Sequence, residues 1–161
     1  FNKSFMKSIV GSSQNNWKLI ISGVSHDQKI FEEYARSLDS SKKILFTGHI
    51  SREDQKHIYN LADVIVIPSP CREATAIAAL EAMAFGKPLI ASEIGGLVEI
   101  IWHKHNGLLC ESNEVAFCEN IRNVLENKAL SQRISENAKR DVFERFSLER
   151  WQESIINFFK K

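Results

Sequence analysis

Short apolar runs bounded by glycine or proline alternate along this chain with segments of helical periodicity, and this alternation constrains the fold most. The runs occupy positions 17–22, 43–48, 62–68, 88–92 and 107–110. Each is too short for a helix and apolar nearly throughout, which is typical of strands that are covered on both faces. Five strand-and-helix repeats predict an α/β domain in which one doubly wound parallel sheet carries helices on both faces.

The intervening segments carry their own helix signals. A first helix is predicted at 1–10, and later helices at 31–38, 51–62, 75–85 and 95–101. Ser51 precedes two acidic residues and is a predicted N-cap, while Gly86 ends the helix at 75–85. Residues 111–161 read as helical wrapping, with Ser147 as a further N-cap.

Composition limits the class of protein. The chain has 161 residues, of which 43% are apolar, and 21 basic residues oppose 20 acidic ones for a net charge of +1. This balance argues for one domain with a real core and against nucleic acid as a partner. Three cysteines without a Cys-x-x-Cys pair indicate reduced thiols in a cytoplasmic protein. The chain has no apolar run of 18 residues, so we do not expect it to span a membrane. Because it begins at Phe1 and enters at once into an amphipathic pattern, we expect a domain cut from a longer protein.

The loops after the strands are where a ligand is expected. In open parallel sheets, ligands bind beyond the carboxyl ends of the strands. The loops that follow this rule lie at 22–23, 48–49, 69–75 and 92–96.

The third of these loops leads into a helix whose start is suited to an anion. Glu73 lies at the junction, and the free N–H groups and dipole of a helix start attract negative charge. Ala74, Thr75 and Ala76 are small enough to let a diphosphate approach the amides of Thr75 to Ile77.

Glu81 is the only charged residue between positions 74 and 85. A carboxylate on such an apolar helix needs a cation, backbone donors or the hydroxyl groups of a ligand. Two vicinal hydroxyls of a ribose would suit it. The alternative is structural, with Glu81 paired to Arg72 or Lys87 and Glu73 solvated in its loop.

Several motifs in a fixed order resemble a known family. They are ADVIVIPS at 62–69, Glu73 and Glu81 separated by seven residues, EAMAFGKPLIAS at 81–92, Gly95-Gly96, and NGLL at 106–109. This set is similar to the C-terminal, nucleotide-sugar-binding domain of retaining glycosyltransferases of the GT-B fold, the glycosyl transferases group 1. The resemblance covers positions 17–151 and implies a Rossmann-like sheet, the C-terminal half of a GT-B fold.

The resemblance also implies a role for each matching residue. Glu73 would contact the donor sugar as the catalytic residue, and Glu81 would bind the ribose hydroxyls. The amides of the segment from Ala74 through Thr75 and Ala76 to Ile77 would hold the diphosphate. The nucleobase would lie against Gly48, His49 and Ile50, and Ser22 and Gly23 would line the same crevice. Where relatives commonly have Glu-Gly-Phe-Gly, this chain has Glu73-Ala74-Thr75-Ala76, a departure that bears on donor identity.

The implied reaction is sugar transfer with retention from a UDP- or GDP-linked donor to a glycan or lipid-linked acceptor, in cell-surface polysaccharide synthesis. Neither a metal nor a tightly bound cofactor is implied. The partner is an N-terminal acceptor-binding domain of the same chain, and the full-length protein is expected in the cytoplasm, with peripheral attachment to the inner face of the membrane left open. The first strand of the domain would precede Phe1, so the chain alone is expected to bind weakly and not to catalyse.

Other interpretations stay open beside this one. They are a nucleotide-sugar epimerase of similar architecture, and a degenerate transferase domain that serves only as a binding module. At His103 and His105, a polar turn is favoured over a metal site. At Cys71, a thiol without a catalytic role is favoured over a nucleophile. The apolar stripe of Trp151, Ile155, Phe158 and Phe159 either caps the core or forms an exposed interface.

Overall fold

The computed structural model describes residues 17–24, 26–38, 43–71 and 76–160, and the predicted alternation of strands and helices is present in them. The strands are β1 Leu19–Ser22, β2 Ile44–Gly48, β3 Ile65–Ile67, β4 Leu89–Ser92 and β5 Leu108–Cys110. The helices are α1 Gln28–Leu38, α2 Arg52–Leu61, α3 Ile77–Ala84, α4 Leu97–Ile100, α5 Glu114–Glu126, α6 Lys128–Phe146 and α7 Leu148–Phe159. The helix predicted at 1–10 lies outside the described residues.

The predicted helix boundaries follow from capping. Ser51 accepts a hydrogen bond from the amide of Asp54 at 3.1 Å, and Ser147 accepts one from Arg150 at 3.4 Å, so both predicted N-caps are confirmed. Gly86 adopts a left-handed φ of 62° after α3. Its amide donates to the carbonyl of Met83, and the amide of Lys87 donates to that of Ala82, which is the Schellman arrangement that ends a helix.

All the described strand pairs are parallel, as predicted, and within the described residues they fall into two sheets. β1 pairs with β2, and β4 lies between β3 and β5. The predicted sheet is therefore seen in two parts, because no described strand lies between β1 and β3. A doubly wound sheet has the strand order 3-2-1-4-5-6. In this order β2 and β1 take positions 3 and 2, and β3, β4 and β5 take positions 4, 5 and 6. No described strand takes position 1.

The larger sheet has the two covered faces that its apolar strands predict. All four residues of β4 are buried. Leu89 and Ala91 join a cluster with residues of α3 and α6, whereas Ile90 joins a second cluster with residues of α5. Alternate side chains of one strand thus enter two cores on opposite faces. The smaller sheet has its own cluster, centred on Ala35 of α1 and Ile44 of β2.

The last helix leaves its apolar stripe uncovered. α7 contains no buried residue, and Trp151, Phe158 and Phe159 are exposed by 61%, 75% and 81%. Ile155 is exposed as well. Of the two interpretations of this stripe, the core cap is wrong, because these side chains remain open to solvent.

Candidate functional site

Two of the predicted ligand loops meet at the ends of β1 and β2. Ser22 is in register with Gly48, and the amide of Gly23 donates to the carbonyl of Gly48 at 3.0 Å. Both glycines have positive φ, 113° at Gly23 and 65° at Gly48, which favours glycine at these positions. A Cβ at either position would meet no atom within 4 Å, so the surface above them is open. His49 is exposed and Ile50 is half-buried beside them.

The start of α3 is the predicted diphosphate position. Ala76 is the N-cap residue and makes no side-chain cap. The first described amide with a backbone acceptor in this helix is that of Ala79, which donates to the carbonyl of Ala76. Among the described residues, no backbone acceptor is seen for the amides of Ile77 and Ala78, and the side chain of Ile77 is 65% exposed. Glu73, Ala74 and Thr75 lie outside the described residues, so their predicted roles stay predictions.

Glu81 has a hydroxyl partner within the protein. The hydroxyl of Tyr59 on α2 donates to Oε2 of Glu81 at 2.9 Å. Lys87 instead donates to the carbonyl of Asn60 at 2.9 Å, so pairing of Glu81 with Lys87 is wrong as a structural alternative. Arg72, the other proposed cation, lies outside the described residues. Among the residues that the structure describes, only Tyr59 donates to the Glu81 carboxylate.

Tyr59 is the residue of this site that the sequence analysis missed. Its ring stacks on Phe85 with centroids 5.0 Å apart and planes within 9°. Burial, together with the hydrogen bond and the charge of Glu81, raises the pKa of the Tyr59 hydroxyl well above its usual value. The phenol therefore stays protonated and remains a donor. No sequence signal connects Tyr59 with Glu81, because their contact spans 22 positions between two helices.

The ends of β4 and β5 present a buried hydroxyl and a short helix. Ser92 is the last residue of β4, and its Oγ is buried without a hydrogen-bond partner among the described residues. Gly95 follows with a φ of 55°, and Gly96 caps α4. The loop at 92–96 thus lies at the same sheet edge as the end of β3, because Ile67 is in register with Ala91.

The turn between α4 and β5 contains a polar network that fastens it to α6. The Asn106 side chain donates to Asp141 at 2.9 Å and accepts from the amide of Trp102 at 2.7 Å. His105 Nε2 lies 3.1 Å from the same Asp141 carboxylate, and His103 Nδ1 accepts from the amide of Leu109. The polar-turn interpretation of the two histidines is confirmed. Within the described ranges, no group of three or more His, Cys, Asp or Glu side chains is arranged to hold a metal.

The three cysteines form no disulfide. Cys71 is exposed, Cys118 is partly buried and Cys110 is buried. Burial, with a smaller contribution from the negative charge of Glu93, raises the pKa of the Cys110 thiol to about 11. Cys110 is therefore a core thiol without nucleophilic character at neutral pH.

The family model described as "Glycosyl transferases group 1" matches residues 3–141. The chain belongs to this family. An uncharacterized glycosyltransferase from Methanocaldococcus jannaschii is 35% identical over 148 residues, which cover 91% of this chain and 38% of that protein. A lipopolysaccharide 1,2-N-acetylglucosaminetransferase from Salmonella typhimurium is 32% identical over 161 residues, covering 92% of this chain and 42% of that protein. This chain thus spans about two fifths of the length of these relatives.

Solved structures confirm the predicted GT-B architecture of this group 1 chain. The HepE protein of Anabaena, solved in complex with UDP, superposes with a TM-score of 0.87 at 21% identity, covering 97% of this chain and 44% of that one. The C-terminal domain of a group 1 glycosyl transferase from Francisella tularensis superposes with a TM-score of 0.79 at 22% identity, covering 91% of this chain and 79% of that one. None of the described helices is long and apolar enough to cross a bilayer.

Proposed function

We propose that this chain is the donor-binding domain of a retaining glycosyltransferase that takes its sugar from a nucleoside diphosphate. The observation that carries the proposal is the Glu81 carboxylate, half-buried on an apolar helix and hydrogen-bonded by the described residues only through Tyr59. Its remaining lone pairs suit two vicinal hydroxyls, which a ribose supplies. The amides at the start of the same helix would hold the diphosphate.

The surrounding loops complete the proposed donor site. Ser22, Gly23 and Gly48 to Ile50 would line the crevice for the base, and Glu73 would contact the sugar. Amides at the start of α3 would stabilise the charge that develops on the departing diphosphate, which is the main electrostatic demand of the transfer. Three solved structures of the Anabaena relative carry UDP, UDP with glucose, or UDP-glucose, which makes UDP the first nucleotide to test.

The acceptor side of the reaction belongs to the same proposal. A lipopolysaccharide N-acetylglucosaminetransferase and a mannosyltransferase that builds O-antigen chains are among the relatives, which supports a cell-surface glycan as the product. We place the acceptor site on an N-terminal domain of a longer polypeptide, working in the cytoplasm at the inner face of the membrane. The absence of a described strand between β1 and β3 supports the companion proposal that a further strand precedes β1. The 161-residue chain alone would then bind donor weakly and transfer no sugar.

The test is nucleotide affinity in the complete gene product, measured by calorimetry with UDP, GDP and ADP and their hexose conjugates. Glu81→Gln keeps the size of the side chain and removes its charge. Losing charge-assisted hydrogen bonds worth about 1.5–3 kcal/mol should weaken the preferred nucleotide roughly ten- to hundredfold. Glu119→Gln, at an exposed position on α5, is the matched control and should leave affinity unchanged. Equal affinities for wild type and Glu81→Gln would contradict the proposal.

A further inference from the structure

The contact between Tyr59 and Glu81 has a geometry that goes beyond packing. The Tyr59 ring is fixed against Phe85 at a centroid distance of 5.0 Å, and its hydroxyl also lies 3.5 Å from the carbonyl of Ala78. The hydroxyl is thereby directed at Oε2 of Glu81, 2.9 Å away. Because its ring has only two side-chain torsions and is stacked, Tyr59 can hold the carboxylate in one orientation at little entropic cost.

We propose that Tyr59 is a positioning residue that orients the Glu81 carboxylate for the vicinal hydroxyls of a nucleotide ribose. The inference rests on the proposed function and adds Tyr59 to the donor site as a residue that acts through Glu81. A carboxylate has about four lone-pair sites, and Tyr59 occupies one of them. Because the hydrogen bond from Tyr59 fixes the carboxylate, its remaining lone-pair sites point in fixed directions. They can therefore match a diol whose two hydroxyls are rigidly spaced. An unfixed carboxylate would lose rotamer freedom on binding, and this loss would subtract from affinity.

The location of Tyr59 also links two parts of the proposed site. It lies on α2, the helix that starts at Arg52 directly after the loop Gly48 to Ile50. Glu81 lies on α3, whose first amides belong to the proposed diphosphate position. The hydrogen bond therefore joins the helix that follows the base loop to the helix that carries the ribose carboxylate. Binding of a complete nucleotide uses both helices at once.

A second contact between the same helices supplies a control. Lys87 donates to the carbonyl of Asn60, next to Tyr59, so it also fastens the end of α2 to the segment after α3. Lys87→Met removes this fastening without touching the carboxylate. Tyr59→Phe removes only the hydroxyl and keeps the ring on Phe85. Tyr34→Phe, at the other tyrosine of the chain, on α1, controls for loss of a hydroxyl elsewhere.

The experiment compares the affinities of UDP, 2′-deoxy-UDP and 3′-deoxy-UDP for the complete gene product, with melting temperature measured alongside. GDP and its deoxy forms replace these probes if GDP is the preferred nucleotide. In wild type, removing a ribose hydroxyl should weaken binding about tenfold, the cost of one charge-assisted hydrogen bond. Tyr59→Phe should weaken the ribonucleotide three- to tenfold and the deoxy forms hardly at all, so that the preference for ribose shrinks. Lys87→Met and Tyr34→Phe should keep the wild-type preference, even where the melting temperature falls.

The outcomes separate this inference from the proposed function. A purely structural Tyr59 would lower affinity for all three nucleotides by the same factor, or leave all three unchanged, and either result overturns the inference. If Glu81→Gln abolishes the ribose preference while Tyr59→Phe preserves it, the donor-site proposal stands and only the role of Tyr59 fails. If wild type shows no ribose preference and Glu81→Gln changes nothing, the proposed function itself has failed. In the double variant, Tyr59→Phe should add no further loss to that of Glu81→Gln.

Discussion

Replacing Asn106 should destabilise the fold far more than an ordinary polar substitution, because the whole side chain is buried and all of its polar atoms are used. Asn106 has 0% exposure and Asp141 has 5%. The amide donates to Asp141 at 2.9 Å, and its oxygen accepts from the amide of Trp102 at 2.7 Å. Asn106→Ala breaks these two bonds and a longer one from the same amide to the carbonyl of Ile100 at 3.4 Å, and it empties the space between the turn and α6. The Trp102 amide loses its acceptor, and the Asp141 carboxylate keeps only its contacts with His105 and Arg140.

The magnitude follows from these two bonds. An orphaned amide costs about 1–3 kcal/mol, and a lost hydrogen bond to a buried charge about 1.5–3 kcal/mol. We therefore expect Asn106→Ala to lower the free energy of unfolding by about 3–5 kcal/mol. Asp141→Asn keeps the shape and removes the charge, so it should cost about 1–2 kcal/mol.

Urea unfolding followed by tryptophan fluorescence measures both effects, with an unchanged m value as the sign that the unfolded state is unaltered. The double variant Asn106→Ala with Asp141→Ala tests the pairing itself. Its loss should be smaller than the sum of the single losses by about 1.5–3 kcal/mol. A loss below about 1 kcal/mol for Asn106→Ala, or strict additivity in the double variant, would refute the reasoning.

Two further predictions concern the core. At pH 8, iodoacetamide should modify Cys71 rapidly in the folded protein, because that residue is exposed. It should modify Cys110 only on unfolding, because that residue is buried and its thiol pKa is about 11. Mass spectrometry of tryptic peptides measures the order of labelling, and early labelling of Cys110 would contradict the prediction. Met83→Ala should lower the free energy of unfolding by about 2–5 kcal/mol, because this side chain has 0% exposure between β4 and α6. The control, Val115→Ala at an exposed position, should change the free energy of unfolding by less than about 0.5 kcal/mol. Similar losses for the two variants in urea unfolding would show that the core around α3 is not packed as described.

Features that depend on neighbouring residues could be predicted from the sequence. Ser51 and Ser147 were predicted as N-caps from the residues that follow them, and Gly86 as the end of a helix from its position. The apolar character of β4 predicted two covered faces, and Leu89 and Ile90 enter different cores. These signals are local because capping and periodicity are properties of consecutive residues.

Features that depend on distant residues could not be predicted. The Tyr59 contact with Glu81 leaves no trace in the spacing of either residue.

Asp141 is an intermediate case between these two. The sequence analysis places it only within the helical wrapping at 111–161, yet it follows the buried Ile134 and Ala138 at helical spacing and immediately precedes Val142. Its periodicity could have marked it as a buried carboxylate in need of partners.

The central claim is that the loops at the carboxyl ends of the strands, together with the start of α3, bind a nucleoside diphosphate. Amide chemical shifts of the chain during titration with UDP, GDP and ADP test it most directly. The account predicts shifts confined to Gly23, Gly48, Ile77 and Glu81, for one base in preference to the others, and loss of these shifts in Glu81→Gln. Shifts centred on a distant surface such as α7, or localised shifts that persist unchanged in Glu81→Gln, would contradict it.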